Sequence, residues 1–210
     1  MFEYLKPNEE IDRLIEQQKK EQQEMHDKRL LEKFKSDSGV LPRYQSLNIQ
    51  QFYNDPNFQK ILPFTDDHKD MTLILSGACG TGKTLAGSLI LKNDFLKGKT
   101  GRYITLQQLI YQLNGNYSKA ETVDPFTRFS LLVLDEVGYG SNDKELAKQA
   151  DILFYILNLR YGYMLPTVII TPLDKSEFIK FAGEATKDRL NQTCLFVEFT
   201  GPSHRGRYAD

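Results

Sequence analysis

Residues 71–84 read M-T-L-I-L-S-G-A-C-G-T-G-K-T, an apolar β-type run that breaks into a glycine-rich turn closed by Lys-Thr. An uninterrupted apolar run predicts a strand covered on both faces. Gly77-x-x-x-x-Gly82-Lys83-Thr84 is the phosphate-loop pattern. Each residue type in it has a physical task. Glycines let successive backbone N–H groups turn inward, the N-terminus of the following helix favours an anion, the lysine reaches the terminal phosphates, and the threonine hydroxyl ligates Mg2+. The expected nucleotide-contacting run is therefore Gly77, Ala78, Cys79, Gly80, Thr81, Gly82, Lys83, Thr84 and Leu85, with Thr84 also a metal residue. Cys79 stands at a variable position of the pattern and reads as filler. With glycine near 7% of residues, a chance match in a chain of this length is on the order of one in a hundred, and its place between strand and helix lowers that further.

Outward from this loop, β-type runs alternate with helical stretches. Strands are expected at 71–76, 101–105, 130–135, 167–171 and 195–199, and helices at 84–96, 106–114, 144–161 and 176–181. Such alternation predicts an α/β domain with a parallel sheet wrapped by helices. The third strand, L-L-V-L-D-E at 131–136, ends in two carboxylates. About fifty residues after a phosphate loop, the first carboxylate, Asp135, is suited to hold Mg2+ through water and the second, Glu136, to polarise an attacking water. That pair favours an ATPase over a small-molecule kinase, whose substrate hydroxyl needs no water-activating Glu. The fourth strand ends I-I-T-P, so Thr171 is the polar residue available to lie between the two loops and touch the γ-phosphate or the water.

Composition removes other classes. The 210 residues carry 27 Lys and Arg against 28 Asp and Glu, a net charge of −1, so nucleic-acid contact requires a local patch and not a global basic field. Two cysteines far apart, Cys79 and Cys194, indicate neither a zinc cluster nor a disulfide framework and fit a reducing cytoplasm. No apolar run approaches the roughly 20 residues of a membrane span, and the acidic start M-F-E-Y-L-K-P-N-E-E does not resemble a signal peptide. Residues 9–35, with seven basic and eight acidic residues and no Gly or Pro, predict a long helix. Its apolar positions gather at both ends, a stripe too thin for a core of its own. Charge patterning leaves two readings open, a solvated helix lying on the domain or a partner-docking arm. Gly39, Pro42 and Pro56 then punctuate a connector, giving a division into 1–35, 36–56 and 57–210, with globular packing beginning near Tyr44.

G-A-C-G-T-G-K-T, L-L-V-L-D-E-V-G, L-P-T-V-I-I-T and K-D-R-L together resemble the AAA+ ATPases. S-G-V-L-P-R-Y at 38–44 narrows the resemblance to the replicative helicase loaders of the DnaC/DnaI type and their IstB-like transposition relatives. The resemblance implies an AAA+ core with sheet order 5-1-4-3-2, ATP and Mg2+ as cofactors, and ATP hydrolysis. It implies a primosome role in DNA replication: a cytoplasmic loader whose N-terminal helix (1–35) grips a DnaB-type hexameric helicase. Subunits would self-associate in a ring or spiral on ATP, holding single-stranded DNA along the inner face. Arg189, in K-D-R-L, falls where the family places the arginine finger that reaches a neighbour's ATP. Arg205, in S-H-R-G-R, resembles a terminal S-Y-R. Lys99, Arg102, Tyr103, Tyr111 and Tyr117 lie where such proteins bind single strands, a mixture of cations and stacking rings.

Two departures from the family pattern bear on the reading. Thr171-Pro172 replaces the usual T-S-N, whose Asn senses the γ-phosphate, which leaves weak hydrolysis or Thr171 itself as sensor. Only eleven residues follow Phe199, so no separate helical lid domain is expected, and a chain this short suits a phage gene. The alternative within the resemblance is an IstB-like helper ATPase that binds duplex DNA and a transposase. It would call for a strongly basic exterior, and the near-neutral charge opposes it.

Overall fold

The structure, a computed structural model, describes residues 9–52, 54–66, 71–114 and 127–203. Five short strands, β1 (Thr72–Ser76), β2 (Gly101–Thr105), β3 (Leu131–Asp135), β4 (Thr167–Ile170) and β5 (Cys194–Glu198), form one sheet in the order β2-β3-β4-β1-β5. Every neighbouring pair is parallel. This is the 5-1-4-3-2 order of an AAA+ core. The expected strands reach one residue further at some ends because the ladder continues past the regular pairing. The Thr167 amide donates to Met71 O at 3.1 Å, the Thr171 amide to Leu75 O at 3.0 Å, and the Phe199 amide to Ser76 O at 2.8 Å.

All-apolar strands need cover on both faces, and two buried clusters supply it. On one face, Leu73, Leu75, Val133, Val168 and Ile170 pack with Leu85, Leu89 and Phe95 of α4 (Lys83–Leu96) and with Phe58, Ile61 and Phe64 of α3 (Pro56–Asp66). On the other, Ile74, Leu132, Leu134 and Ile169 pack with α5 (Leu106–Asn114), α6 (Asp143–Gly162) and α7 (Lys175–Thr193). The two longer helices have start signals in the sequence. Asn142 caps α6 by accepting from the Glu145 amide at 3.0 Å, and Asp174 with Glu177 forms a reciprocal capping box on α7. Where α6 meets β4, the buried Arg160 donates to Thr167 Oγ1, Phe129 O and Pro166 O at 2.9, 3.1 and 2.6 Å, and burial pulls its pKa down to about 9.

α7 and α3 differ from the expected pattern. α7 extends well beyond 176–181: Gly183 interrupts it with φ 78, a conformation outside the helical region, but the helix resumes at once. A glycine signal reads as a stop, whereas here it is a kink. α3 contains Pro63, and a proline lowers any helix reading of that stretch.

α1 runs Glu9–Asp37 and behaves differently along its length. Ile11, Leu14, Ile15 and Met25 are 44–67% exposed, while Phe34 is buried and meets the Phe95 ring edge-on at 5.5 Å. Ser38, Val40 and Phe52 beyond it are also buried. Packing against α4 thus begins inside the last turns of α1, ahead of Tyr44. Between them, α2 (Pro42–Gln45) is fixed by Lys92 of α4, whose Nζ donates to Gln45 O and Leu47 O at 3.0 and 2.7 Å. Among the described residues no helix is long and apolar enough to cross a membrane.

Candidate nucleotide site

The phosphate loop leaves β1 at Ser76 and enters α4 at Lys83, so its position is fixed by a central strand on one side and a buried helix on the other. Gly77 opens it with φ 127, and a Cβ there would lie 2.3 Å from Phe199 O. Only glycine fits against that carbonyl. Gly82 caps α4 in a left-handed conformation, φ 98. Lys83 is buried, and its Nζ donates to Gly77 O at 2.6 Å and Ala78 O at 2.7 Å, so the ammonium holds the loop's own carbonyls. The result is a cation at the centre of a glycine-rich turn against a helix N-terminus, which fits a polyphosphate.

Asp135 ends β3 and is 4% exposed. Its Oδ2 accepts from Thr84 Oγ1 at 2.8 Å and from the Tyr103 hydroxyl at 2.7 Å, and its Oδ1 accepts from the Glu136 amide at 2.7 Å. The expected metal pair, Thr84 and Asp135, is therefore in direct contact. Among the described residues no cluster of three or more His, Cys, Asp or Glu is poised for a metal. One hydroxyl and one carboxylate beside a phosphate loop suit Mg2+, which keeps several waters and takes further oxygens from phosphates. Burial, then the charge of Asp135, push the Glu136 carboxyl above its ordinary value, while the side chain stays open to solvent. Its backbone is left-handed, φ 58, a strained choice for a non-glycine residue that aims the chain out of the strand end.

Thr171 emerges from β4 between β1 and β3, as the sheet order requires. It is fully buried, and its Oγ1 accepts from the Leu173 amide at 3.2 Å. A methyl on Gly138 would lie 3.6 Å from that oxygen, so the hydroxyl stands close to the loop that follows Glu136. The same loop is held by Gln149, fully buried in α6, which accepts from the Gly138 amide at 3.0 Å and donates to Tyr139 O at 2.8 Å. Ser76 donates to Leu173 O at 2.8 Å and locks the Thr171 turn to the end of β1.

Arg189 is not beside this cluster. It lies in the last turns of α7, just before β5 begins at Cys194, which pairs with Thr72 at the start of β1. The phosphate loop leaves the other end of β1, roughly 13 Å away along the strand. The Arg189 guanidinium sits 4.9 Å from the Tyr161 ring centroid, a cation–π contact.

The five residues of the expected single-strand region have separate fates. Tyr111 is 82% exposed. Lys99 faces the buried Asp94 at 3.6 Å. Arg102 donates to Asp37 O at 2.9 Å, and Tyr103 is buried with its hydroxyl on Asp135, so its ring is not available for stacking on a base. Tyr117, like Arg205, lies outside the described residues. An open groove of about 560 Å³ runs along this edge, lined by Arg102, Gln107, Gln108, Tyr111 and Gln112 among others.

The sequence reading took Tyr103 for a stacking ring and missed its bond to Asp135, and it missed Gln149 altogether. A signal for Tyr103 exists: it pairs with Val133, so in adjacent strands it shares a face with Asp135, two residues short of it in the register and within reach of a tyrosine hydroxyl. Nothing in the sequence marks Gln149, whose role depends on how α6 packs.

The chain matches the family model described as IstB-like ATP binding protein over residues 10–209. It is 26% identical over 183 residues to the replicative helicase loader DnaC of Escherichia coli K12, covering 81% of this chain and 74% of that protein. Among solved structures it resembles a crystal structure of DnaI, with TM-score 0.63 and 21% identity over 80% of this chain and 96% of that one. It also resembles the DnaC helicase loader, with TM-score 0.63 and 20% identity over 76% and 100%. Domain III of the Thermotoga maritima replication initiation protein DnaA follows the same fold, with TM-score 0.64 and 17% identity over 81% and 72%.

Proposed function

Since the chain belongs to the IstB-like ATP-binding protein family, we propose that it is a cytoplasmic ATPase that loads a DnaB-type hexameric helicase onto single-stranded DNA at the start of replication. The observation that carries this reading is the 26% identity to a helicase loader across 74% of that loader's length. It joins an intact phosphate loop and carboxylate pair to a long helix whose first half packs on nothing in the described chain.

In this reading Lys83 leaves the carbonyls of Gly77 and Ala78 for the phosphates, and the α4 N-terminus orients them. Thr84 and Asp135 would hold Mg2+, which supplies charge neutralisation between the phosphates. Glu136 accepts a proton from water, a task helped by its raised pKa. The Thr171 hydroxyl stands in for the sensor amide. Arg189, which lies away from its own loop, serves the ATP of the neighbouring subunit, so nucleotide links copies of the chain in a ring or spiral. The exposed half of α1 takes the helicase, and the Arg102–Tyr111 groove offers a track for a single strand.

The test is capture of a purified hexameric helicase during size-exclusion chromatography with ATP. Full-length protein should co-elute with the helicase. Absence of co-elution in every nucleotide state would overturn the reading. Retention of a transposase on duplex DNA would then favour the transposition-helper alternative.

A further inference from the structure

Ser38, Gly39 and Val40, where the chain leaves α1, lie against the outer strand β2. The Tyr103 amide donates to Ser38 O at 2.7 Å, and Arg102 Nη1 donates to Asp37 O at 2.9 Å, satisfying a carbonyl at the C-terminus of α1. The Val40 amide donates to Ser38 Oγ at 3.1 Å, and both residues are buried. Gly39 comes so close, φ 76, that a Cβ would lie 2.5 Å from Tyr103 O. The residue gripped by this turn through its backbone is the one whose hydroxyl reaches Asp135 through its side chain.

The geometry points to Tyr103 as a positioning residue that couples the exit of the N-terminal helix to Asp135, so that the state of the nucleotide site is felt at residues 37–40. The physical basis is that Tyr103 and Thr84 share a single acceptor, Asp135 Oδ2. When the Thr84 hydroxyl turns away to another partner, Tyr103 keeps that oxygen, and an unshared bond to a charged acceptor is the stronger one. β2 is then held more firmly and the turn it carries opens less often. Without the hydroxyl, Thr84 can turn and nothing is passed to β2.

This rests on Thr84 and Asp135 being the metal residues, and the experiment separates the two ideas. Amide hydrogen exchange is followed at residues 38–40 and at Tyr103 in the full chain. Samples are compared with and without a non-hydrolysable ATP analogue and Mg2+, with binding verified by a fluorescent analogue. In the unmodified chain exchange should slow by about threefold or more on binding. In Tyr103→Phe, which keeps the buried ring, the change should fall below about twofold while the analogue still binds. Arg102→Met acts from outside the core. It should speed exchange at 38–40 in the nucleotide-free chain and shrink the response in the same way. A response as large in Tyr103→Phe and Arg102→Met as in the unmodified chain would overturn the coupling, as would no response to confirmed binding. Absence of analogue binding by the unmodified chain would instead overturn the nucleotide site on which the coupling depends.

Discussion

Truncation of α1 at two points tests where the arm ends and the domain begins. Ile11, Leu14, Ile15 and Met25 are 44–67% exposed, whereas Phe34 is 1% exposed with its ring edge-on to Phe95. Deleting residues 1–28 takes positions 11–28, which are exposed except the half-buried Asp27, and a surface change of that kind costs within about 0.5 kcal/mol. Deleting residues 1–35 also takes Phe34, and losing a buried phenylalanine costs about 3–5 kcal/mol through lost burial and the cavity left beside its partners. Against the roughly 5–15 kcal/mol that holds a domain together, that is a large share. In a chain of this size it lowers Tm by about 6–20 °C. Urea unfolding followed by circular dichroism, with fluorescent ATP binding read on each sample, makes the comparison. The shorter deletion should unfold near the full-length midpoint and bind nucleotide but not helicase, and the longer one should unfold well below it. Phe34→Ala in the full chain should lower stability in the same direction with the arm intact. Equal midpoints for both deletions would refute the placement of Phe34 in the domain core.

Glu136→Gln should bind ATP and turn over little, because the amide cannot take the water's proton. Since Glu136 must be deprotonated to act and its pKa is raised, the ATPase rate should fall on acidification at a pH above that of an ordinary glutamate, and an acid limb at the ordinary value would remove Glu136 as base. Arg189→Ala and Lys83→Ala should each be inactive alone, with losses of about 10³-fold or more for a missing finger. Mixing them should restore part of the activity, and mixtures as inactive as the separate variants, with subunit contact shown, would rule out a finger acting in trans. Cys79 is exposed in the phosphate loop, whereas burial pushes the Cys194 thiol up to about 12. Iodoacetamide should therefore label Cys79 first, and ATP should slow that labelling by about fivefold or more, since access governs thiol reactivity; labelling indifferent to ATP would argue against nucleotide in the loop.

The central strands and the phosphate loop were legible because their signals are local: apolar runs covered on both faces, glycines at fixed spacing and a strand ending in two acids. The sheet order came from family resemblance, since strand sequences alone do not fix their neighbours. The length of α7 was not legible because a glycine that kinks a helix and one that ends it look alike until packing decides. The outer end of α1 showed as solvated, but the burial of Phe34 depends on Phe95, sixty-one positions away. Tyr103 illustrates the same limit at the site. It resembled a stacking ring for DNA, and only the pairing of β2 with β3 turns its hydroxyl to Asp135.

The central claim is tested most directly by counting helicase hexamers on closed circular single-stranded DNA, incubated with ATP and this chain and then separated from free protein. The account predicts that helicase accumulates on the circles when full-length chain and ATP are both present. Loading should be lost when residues 1–28 are deleted or Lys83 is changed to Ala. Loading that is equal with and without the chain, or unaffected by the loss of Lys83, would contradict it.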